Sequence, residues 1–86
     1  MAFSKNVVEA AWARAGGRCE CERVRCTHGY FRCGKQLNRY ARGLDNHPGG
    51  WEAHHKKAVT NGGDDSLSNC EILCIRCHKN TPSYGR

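Results

Sequence analysis

The sequence predicts a small α+β domain that is tied together by metal, with an N-terminal helix and little other regular structure. Three observations predict it. The chain has 86 residues, enough for one domain (residues 1–86) with a thin core. It carries 7 Cys and 5 His, a high density for this length. Its C-terminal part reads as strand, loop, strand and helix.

The N-terminal helix is predicted from Lys5 to Ala15, within a segment that spans residues 1–17. Ser4 suits the N-cap position, and apolar residues then recur at helical spacing. The pair Gly16-Gly17 ends the pattern. The apolar stripe of this helix is most simply explained as part of the core.

The middle segment, residues 18–42, reads RCECERVRCTHGYFRCGKQLNRYAR. It holds four Cys and seven Lys or Arg without a convincing periodicity, so we interpret it as a loop tied by metal. The candidate core, residues 51–82, begins with a strand over Trp51 to Lys56. A loop follows, then a second strand over Glu71 to Leu73, and a helix from Ile75 to about Thr81 that the next residue, a proline, limits.

The charge is positive and unevenly distributed. The formal net charge is +6, and residues 1–43 carry nine Lys or Arg against three acids, whereas residues 44–86 carry five of each. A basic half beside a neutral half is typical of proteins that bind phosphates, although a solvated surface has the same composition. Charge alone does not decide between the two.

No apolar run approaches the length of a membrane span, and the first residues lack the pattern of a signal peptide. We therefore expect a cytoplasmic protein without a membrane partner. In such a compartment, dense cysteine indicates metal binding rather than disulfides.

The segment EAHHKKAVTNGGDDSLSNCEILCIRCHKN resembles the core of the HNH endonucleases, the ββα-metal nucleases. His54-His55, Gly62-Gly63, Asn69 and the Cys-x-x-Cys-His of residues 74–78 occur in the order of that family. Upstream, AWARAGGRCEC and CGKQL resemble the lead-in of its zinc-containing branch. The resemblance implies a zinc-stabilised ββα-metal fold and metal-dependent hydrolysis of DNA to 5′-phosphate and 3′-hydroxyl ends.

The resemblance also implies a role for the histidines and the asparagine of the motif. His55 would be the general base, while His54 and His78 would hold the catalytic metal. Asn69 would either orient the His55 ring through a hydrogen bond or brace the loop. Adjacent residues of a strand point to opposite faces, so the two imidazoles could serve different purposes.

The identity of the catalytic metal is left open among Mn²⁺, Mg²⁺, Ni²⁺, Co²⁺ and Zn²⁺. Imidazole ligands suit magnesium least. A third protein ligand is not evident. The nearby acids Glu52, Asp64 and Asp65 are expected to be solvated or to cap the loop, so waters and phosphate oxygens would complete the coordination.

Cys74 and Cys77 form a Cys-x-x-Cys, half of a four-cysteine structural zinc site. In the family, the other half is usually a Cys-x-x-Cys before Gly. Here Cys33 precedes Gly34, but Tyr30 stands three residues earlier. The lead-in GGRCE favours Cys19 as the partner of Cys33.

Other cysteine combinations remain open. Pairing of Cys26 with Cys33 is the competing choice, and Cys21, Cys26 and His28 would otherwise bind a second zinc, share the first or stay unligated. Cys70 is expected in the core, because a free cysteine behaves as a small apolar residue.

DNA is the expected partner, bound mainly through its phosphates. The best candidates for this contact are Lys56, Lys57 and Arg76. Sequence specificity would come from a homodimer or from a larger phage, restriction or repair partner. A non-catalytic zinc module that binds nucleic acid is the alternative, although such a module would need neither His55 nor Asn69.

Overall fold

The computed structural model describes residues 3–23, 31–59 and 62–81. In these ranges two helices, α1 (Lys5–Ala15) and α2 (Ile75–Lys79), accompany two strands, β1 (Trp51–His55) and β2 (Cys70–Cys74). The strands form one antiparallel sheet, and a short 3₁₀ turn precedes β2. The predicted α+β class is confirmed. None of the helices in the described ranges is long and apolar enough to cross a membrane.

Helix α1 has the predicted bounds because both of its ends carry strong signals. The Ser4 hydroxyl accepts a hydrogen bond from the Val7 backbone N–H at 3.2 Å. Gly16 ends the helix in the left-handed conformation, with φ of 66°, which glycine adopts at no steric cost. The buried residues Val8, Ala11 and Ala15 lie on one face.

The strands differ from the prediction by one residue at three ends. β1 stops at His55, before the predicted Lys56, and β2 extends to Cys70 and Cys74. The added residues belong to the sheet because Cys70 pairs with His55 and Cys74 pairs with Trp51. The two strands therefore pair over five residues, and the histidine doublet lies at the C-terminal end of β1.

Helix α2 ends at Lys79 rather than near Thr81. The Asn80 N–H donates to the Arg76 carbonyl at 3.2 Å and the Thr81 N–H donates to the His78 carbonyl at 3.2 Å. These contacts close the last turn and end the helix before the proline at position 82.

The sheet separates the two helices. Trp51 and His55 contact the N-terminal segment, with 4.7 Å between the ring centroids of Trp51 and Trp12. His54 lies between them in the strand and contacts His78 of α2 instead. Because neighbouring strand residues point to opposite faces, the histidine doublet is divided between the two faces of the sheet.

The described part of the cysteine-rich segment is more regular than predicted. Residues 17–21 run antiparallel to residues 33–37, and the Cys19 N–H donates to the Lys35 carbonyl at 3.0 Å. The Glu20 N–H donates to the Ile72 carbonyl at 2.7 Å, which joins this segment to β2. The loop is thus fixed to the sheet by backbone hydrogen bonds as well as by its cysteines.

The core is small and rich in sulfur. Its largest fully buried side chains are Ile72, Leu73, Cys19, Cys21, Cys70, Cys74 and Cys77. A core with so few large apolar side chains supplies limited stability, so a bound metal would add substantially to it.

Candidate functional site

His54 and His78 bring two imidazoles together on the α2 side of the sheet. Their ring centroids lie 5.4 Å apart with an angle of 69° between the planes. Burial, and then the neighbouring His78 and Arg23, lowers the pKa of His54 to about 4. Burial also lowers the pKa of His78. Both rings are therefore neutral near pH 7, which is the form that binds a metal.

Acidic groups lie close to this pair without completing a ligand set. The carboxylates of Glu52 and Asp45 counteract part of the effect of burial on the pKa of His78. Glu52 Oε1 accepts a hydrogen bond from Arg42 Nε at 3.0 Å. Among the described residues, three or more potential ligands meet only in the cysteine cluster. With two imidazoles alone, a metal bound here would need its remaining ligands from water or substrate.

His55 lies on the opposite face, in contact with the N-terminal segment. The Phe3 ring stacks on the imidazole at 3.9 Å between centroids, with 20° between the planes. His55 Nε2 is 2.7 Å from Asp65 Oδ1, and the His55 side chain is 18% exposed. The ring is thus held on one face and at one nitrogen while it remains reachable from solvent.

The two neighbouring acids of the loop behave differently. Asp64 Oδ1 accepts hydrogen bonds from the Ser66 N–H at 3.2 Å and the Ser66 hydroxyl at 2.6 Å, as expected for a loop-capping residue. The expectation was wrong for Asp65, which contacts His55. The contact between Asp65 and His55 could have been inferred from the path of the chain. The segment from Lys56 to Asn69 leaves and re-enters the sheet beside His55, so its acids are confined near that ring.

Asn69 closes this loop with three hydrogen bonds. Its Oδ1 accepts from the Lys57 N–H at 2.8 Å, and its Nδ2 donates to the carbonyls of Lys57 at 3.0 Å and Asp64 at 2.7 Å. Asn69 was predicted either to orient the His55 ring or to brace the loop, and these hydrogen bonds brace the loop. Within the described residues the His55 ring bonds to Asp65 rather than to Asn69.

The loop also depends on the close approach of Gly63 to its own start. The Gly63 N–H donates to the Ala58 carbonyl at 3.0 Å. A Cβ atom at this position would lie 1.8 Å from the Lys57 carbonyl oxygen, so no other residue fits without a backbone shift. Gly63, the second glycine of the motif, is therefore a requirement of the loop that carries Asp65.

The four cysteines that the sequence favoured as zinc ligands lie close together in the structure. The Sγ atoms of Cys19, Cys33, Cys74 and Cys77 lie within 4.8 Å of one another. A hydrogen bond with Cys74 raises the pKa of Cys19, and the same contact lowers the pKa of Cys74. The cluster thus stabilises a thiolate, the form that binds zinc. Zinc occupancy of the cluster remains a prediction.

The remaining cysteines lie apart from this cluster or outside the described residues. Cys21 is buried, and its Sγ is 3.8 Å from Arg23 Nη1. Cys70 is fully buried, and burial raises the pKa of its thiol to about 11, so it is a neutral core residue as expected. The alternatives that involve Cys26 and His28 fall outside the described residues.

The three predicted phosphate contacts are exposed. Lys56 and Lys57 follow β1 directly, and Arg76 lies on α2. Lys56 also borders a cavity of about 540 Å³ whose other lining residues are charged: Arg14, Glu20, Glu22, Arg23, Arg32 and Glu71. Contact of these residues with DNA remains a prediction.

Comparison with known proteins agrees with the resemblance of the motif. A family model described as HNH endonuclease matches residues 26–82, well over half of the chain. The matched range contains both strands, α2 and the loop between the strands. No curated protein and no solved structure shows a significant match.

Proposed function

The chain belongs to the HNH endonuclease family, and from this membership we propose that it is a metal-dependent endonuclease that hydrolyses phosphodiester bonds of DNA. The products would carry 5′-phosphate and 3′-hydroxyl ends. The observation that carries the proposal is the division of the histidine doublet. His54 meets His78 on one face of the sheet, whereas His55 meets Asp65 on the other.

In this proposal His54 and His78 hold the catalytic metal through neutral ring nitrogens. A bound divalent cation would polarise the phosphate and stabilise the leaving 3′ oxygen. Imidazole ligands favour Mn²⁺, Co²⁺, Ni²⁺ or Zn²⁺ over Mg²⁺. The lowered pKa values of both histidines support this role, because neither ring has to lose a proton near pH 7.

His55 would accept the proton of the attacking water. An imidazole is the side chain best suited to proton transfer near neutral pH. Asn69 would support this step indirectly, since it braces the loop beside the ring. The exposed Lys56, Lys57 and Arg76 would contact the phosphates.

The cysteine cluster would hold a structural zinc ion. Four thiolates from two segments fit the tetrahedral geometry of closed zinc sites. Cys19 and Cys33 come from the N-terminal half, while Cys74 and Cys77 begin α2. Zinc would therefore fix the helix that carries His78 to the rest of the chain.

The alternative is a zinc-stabilised module that binds nucleic acid without cleaving it. Such a module would use the cysteine cluster and the basic residues. It would have no use for a solvent-accessible imidazole bonded to a carboxylate, or for a pair of neutral histidines on the other face of the sheet. These features favour the nuclease.

A cleavage assay on supercoiled plasmid tests the proposal. Zinc-loaded wild-type protein is incubated with Mn²⁺, Mg²⁺, Ni²⁺, Co²⁺ or added Zn²⁺, and a parallel reaction contains EDTA. We expect metal-dependent nicking that His55→Ala reduces by at least about 10²-fold, the usual contribution of a general base. DNA binding by that variant should be retained.

The matched control is His47→Asn. His47 is exposed and its Nδ1 accepts a hydrogen bond from the Gly49 N–H at 2.9 Å, which an asparagine oxygen can also accept. This variant should cleave like the wild type. Wild-type rates in His55→Ala would refute the assignment of the base, and no cleavage by folded wild type with any metal would favour the binding module.

A further inference from the structure

We propose that Asp65 is the positioning residue of His55, fixing the orientation of the ring and the nitrogen that carries its proton. The inference rests on the proposed function, in which His55 accepts a proton from water. It adds a carboxylate to the site that neither the motif nor the family match assigns.

The contact itself has the geometry of a strong hydrogen bond. His55 Nε2 and Asp65 Oδ1 are 2.7 Å apart. A carboxylate can only accept a hydrogen bond, so Nε2 must carry the hydrogen. In the neutral ring Nδ1 then bears the lone pair, and Nδ1 is the atom that takes the proton of the water.

The ring is also held from a second direction. Phe3 stacks on the imidazole with only 20° between the planes, and Phe3 is itself 7% exposed. Stacking fixes the plane of the ring but still permits a 180° flip about the Cβ–Cγ bond, which exchanges the two edges of the imidazole. The bond to Asp65 removes this freedom, because it selects one edge of the imidazole.

Asp65 lies in a loop that is itself restrained. Asn69 Nδ2 donates to the carbonyls of Lys57 and Asp64, so the residue just before Asp65 is tied to the base of the loop. Asn69 therefore acts on His55 through the loop and Asp65, which gives the asparagine a role at the ring without direct contact.

The proton and electron movements balance without another reactant. The water gives its proton to Nδ1 of His55, and its oxygen forms the new bond to phosphorus. The bond from phosphorus to the 3′ oxygen breaks, and that oxygen takes a proton from solvent. The imidazolium so formed lies beside the Asp65 carboxylate, which stabilises its charge as in other His–Asp pairs, and it then returns the proton to solvent.

The first measurement is NMR of the His55 ring in the zinc-loaded protein without DNA. A hydrogen bond to a carboxylate should give the Nε2 proton a resonance that exchanges slowly with water. We expect Asp65→Ala to lose this resonance and Asp64→Ala to keep it. Asp64 is a matched control, because it is the adjacent acid and bonds to Ser66 instead.

The second measurement is the kinetics of plasmid nicking by the same variants. In Asp65→Ala we expect kcat to fall by about 10- to 100-fold with KM within about twofold, since ring placement is lost and DNA contacts remain. Asp65→Glu restores a carboxylate and should recover most of that kcat. Asp64→Ala should stay within about twofold of wild type for both constants.

The outcomes separate this inference from the proposed function. Persistence of the Nε2 resonance in Asp65→Ala would overturn the positioning role whether or not the protein cleaves DNA. A wild-type kcat in Asp65→Ala would overturn it as well. Failure of the proposed function has a different signature, which is wild-type nicking by His55→Ala.

Discussion

The imidazoles of His54 and His78 meet at 5.4 Å between ring centroids, although one lies on β1 and the other on α2. Burial lowers the pKa of both rings, that of His54 to about 4. An imidazole of ordinary pKa is partly protonated at pH 6 and must lose that proton before it binds a metal. At that pH His54 is neutral, and His78 carries a proton less often than an ordinary imidazole does.

Metal binding at this pair should therefore release few protons. Two imidazoles of ordinary pKa would together release about 1.5 protons at pH 6. Because the pKa of His54 and His78 is lowered, we expect well under one. Calorimetric titration of zinc-loaded protein with Ni²⁺, in two buffers of different ionisation enthalpy, gives the number directly.

The control for this titration is His78→Ala. If His54 and His78 are the protein ligands, removing one of them should weaken Ni²⁺ binding by at least about tenfold, since loss of a group that merely supports a ligand already costs 10- to 100-fold. Equal affinity would show that the titrated metal binds elsewhere. Release of more than one proton by the wild type at pH 6 would contradict neutral histidines.

Local signals explain what could be predicted from the sequence. The N-cap at Ser4, the glycines after Ala15 and the helical spacing between them specify α1 without reference to the rest of the chain. The division of His54 and His55 follows from the alternation of a strand. The bounds of α1 and the placement of the two histidines on opposite faces were each inferred from neighbouring residues alone, and the structure has both features.

The contacts that could not be predicted join distant segments. Asp65 meets His55 only because the loop folds back on the end of β1, a path set by Gly63 and by the hydrogen bonds of Asn69. The positive net charge was also ambiguous, because it did not show which basic residues contact phosphate. Arg32 donates to the carbonyls of Ala15 and Cys19, at 2.8 and 3.0 Å, so part of the basic excess stabilises the fold instead of contacting phosphate.

Zinc at the cysteine cluster should be necessary for the fold, and Cys74→Ser tests this sharply. Cys74 has a second role, because its Sγ accepts a hydrogen bond from the Cys77 N–H at 3.5 Å as the N-cap of α2. Serine is a good N-cap but a poor zinc ligand, so the substitution would keep the cap and remove one of the proposed zinc ligands. We expect loss of zinc and of cooperative thermal unfolding.

The matched control for Cys74→Ser is Cys70→Ala. Cys70 is equally buried but lies outside the cluster, so zinc should be retained at one ion per chain by elemental analysis. The thermal transition should remain cooperative at a lower midpoint, because only a small buried thiol is lost. A folded, zinc-free Cys74→Ser protein would refute a structural role for the metal.

Arg14 should be an anchor between α1 and the strand that precedes α2. Its guanidinium donates to both carboxylate oxygens of Glu20, at 2.7 and 2.8 Å, and to the Cys70 carbonyl at 2.6 Å. We expect Arg14→Ala to lower the free energy of unfolding by about 1–2 kcal/mol, at the low end for charged hydrogen bonds because the side chain is partly exposed. Urea titration of zinc-loaded protein measures this change in the free energy of unfolding.

Arg39→Ala is the control for Arg14→Ala, since Arg39 and Glu9 form an exposed pair that should contribute little. Equal losses in the two variants would contradict the anchoring role.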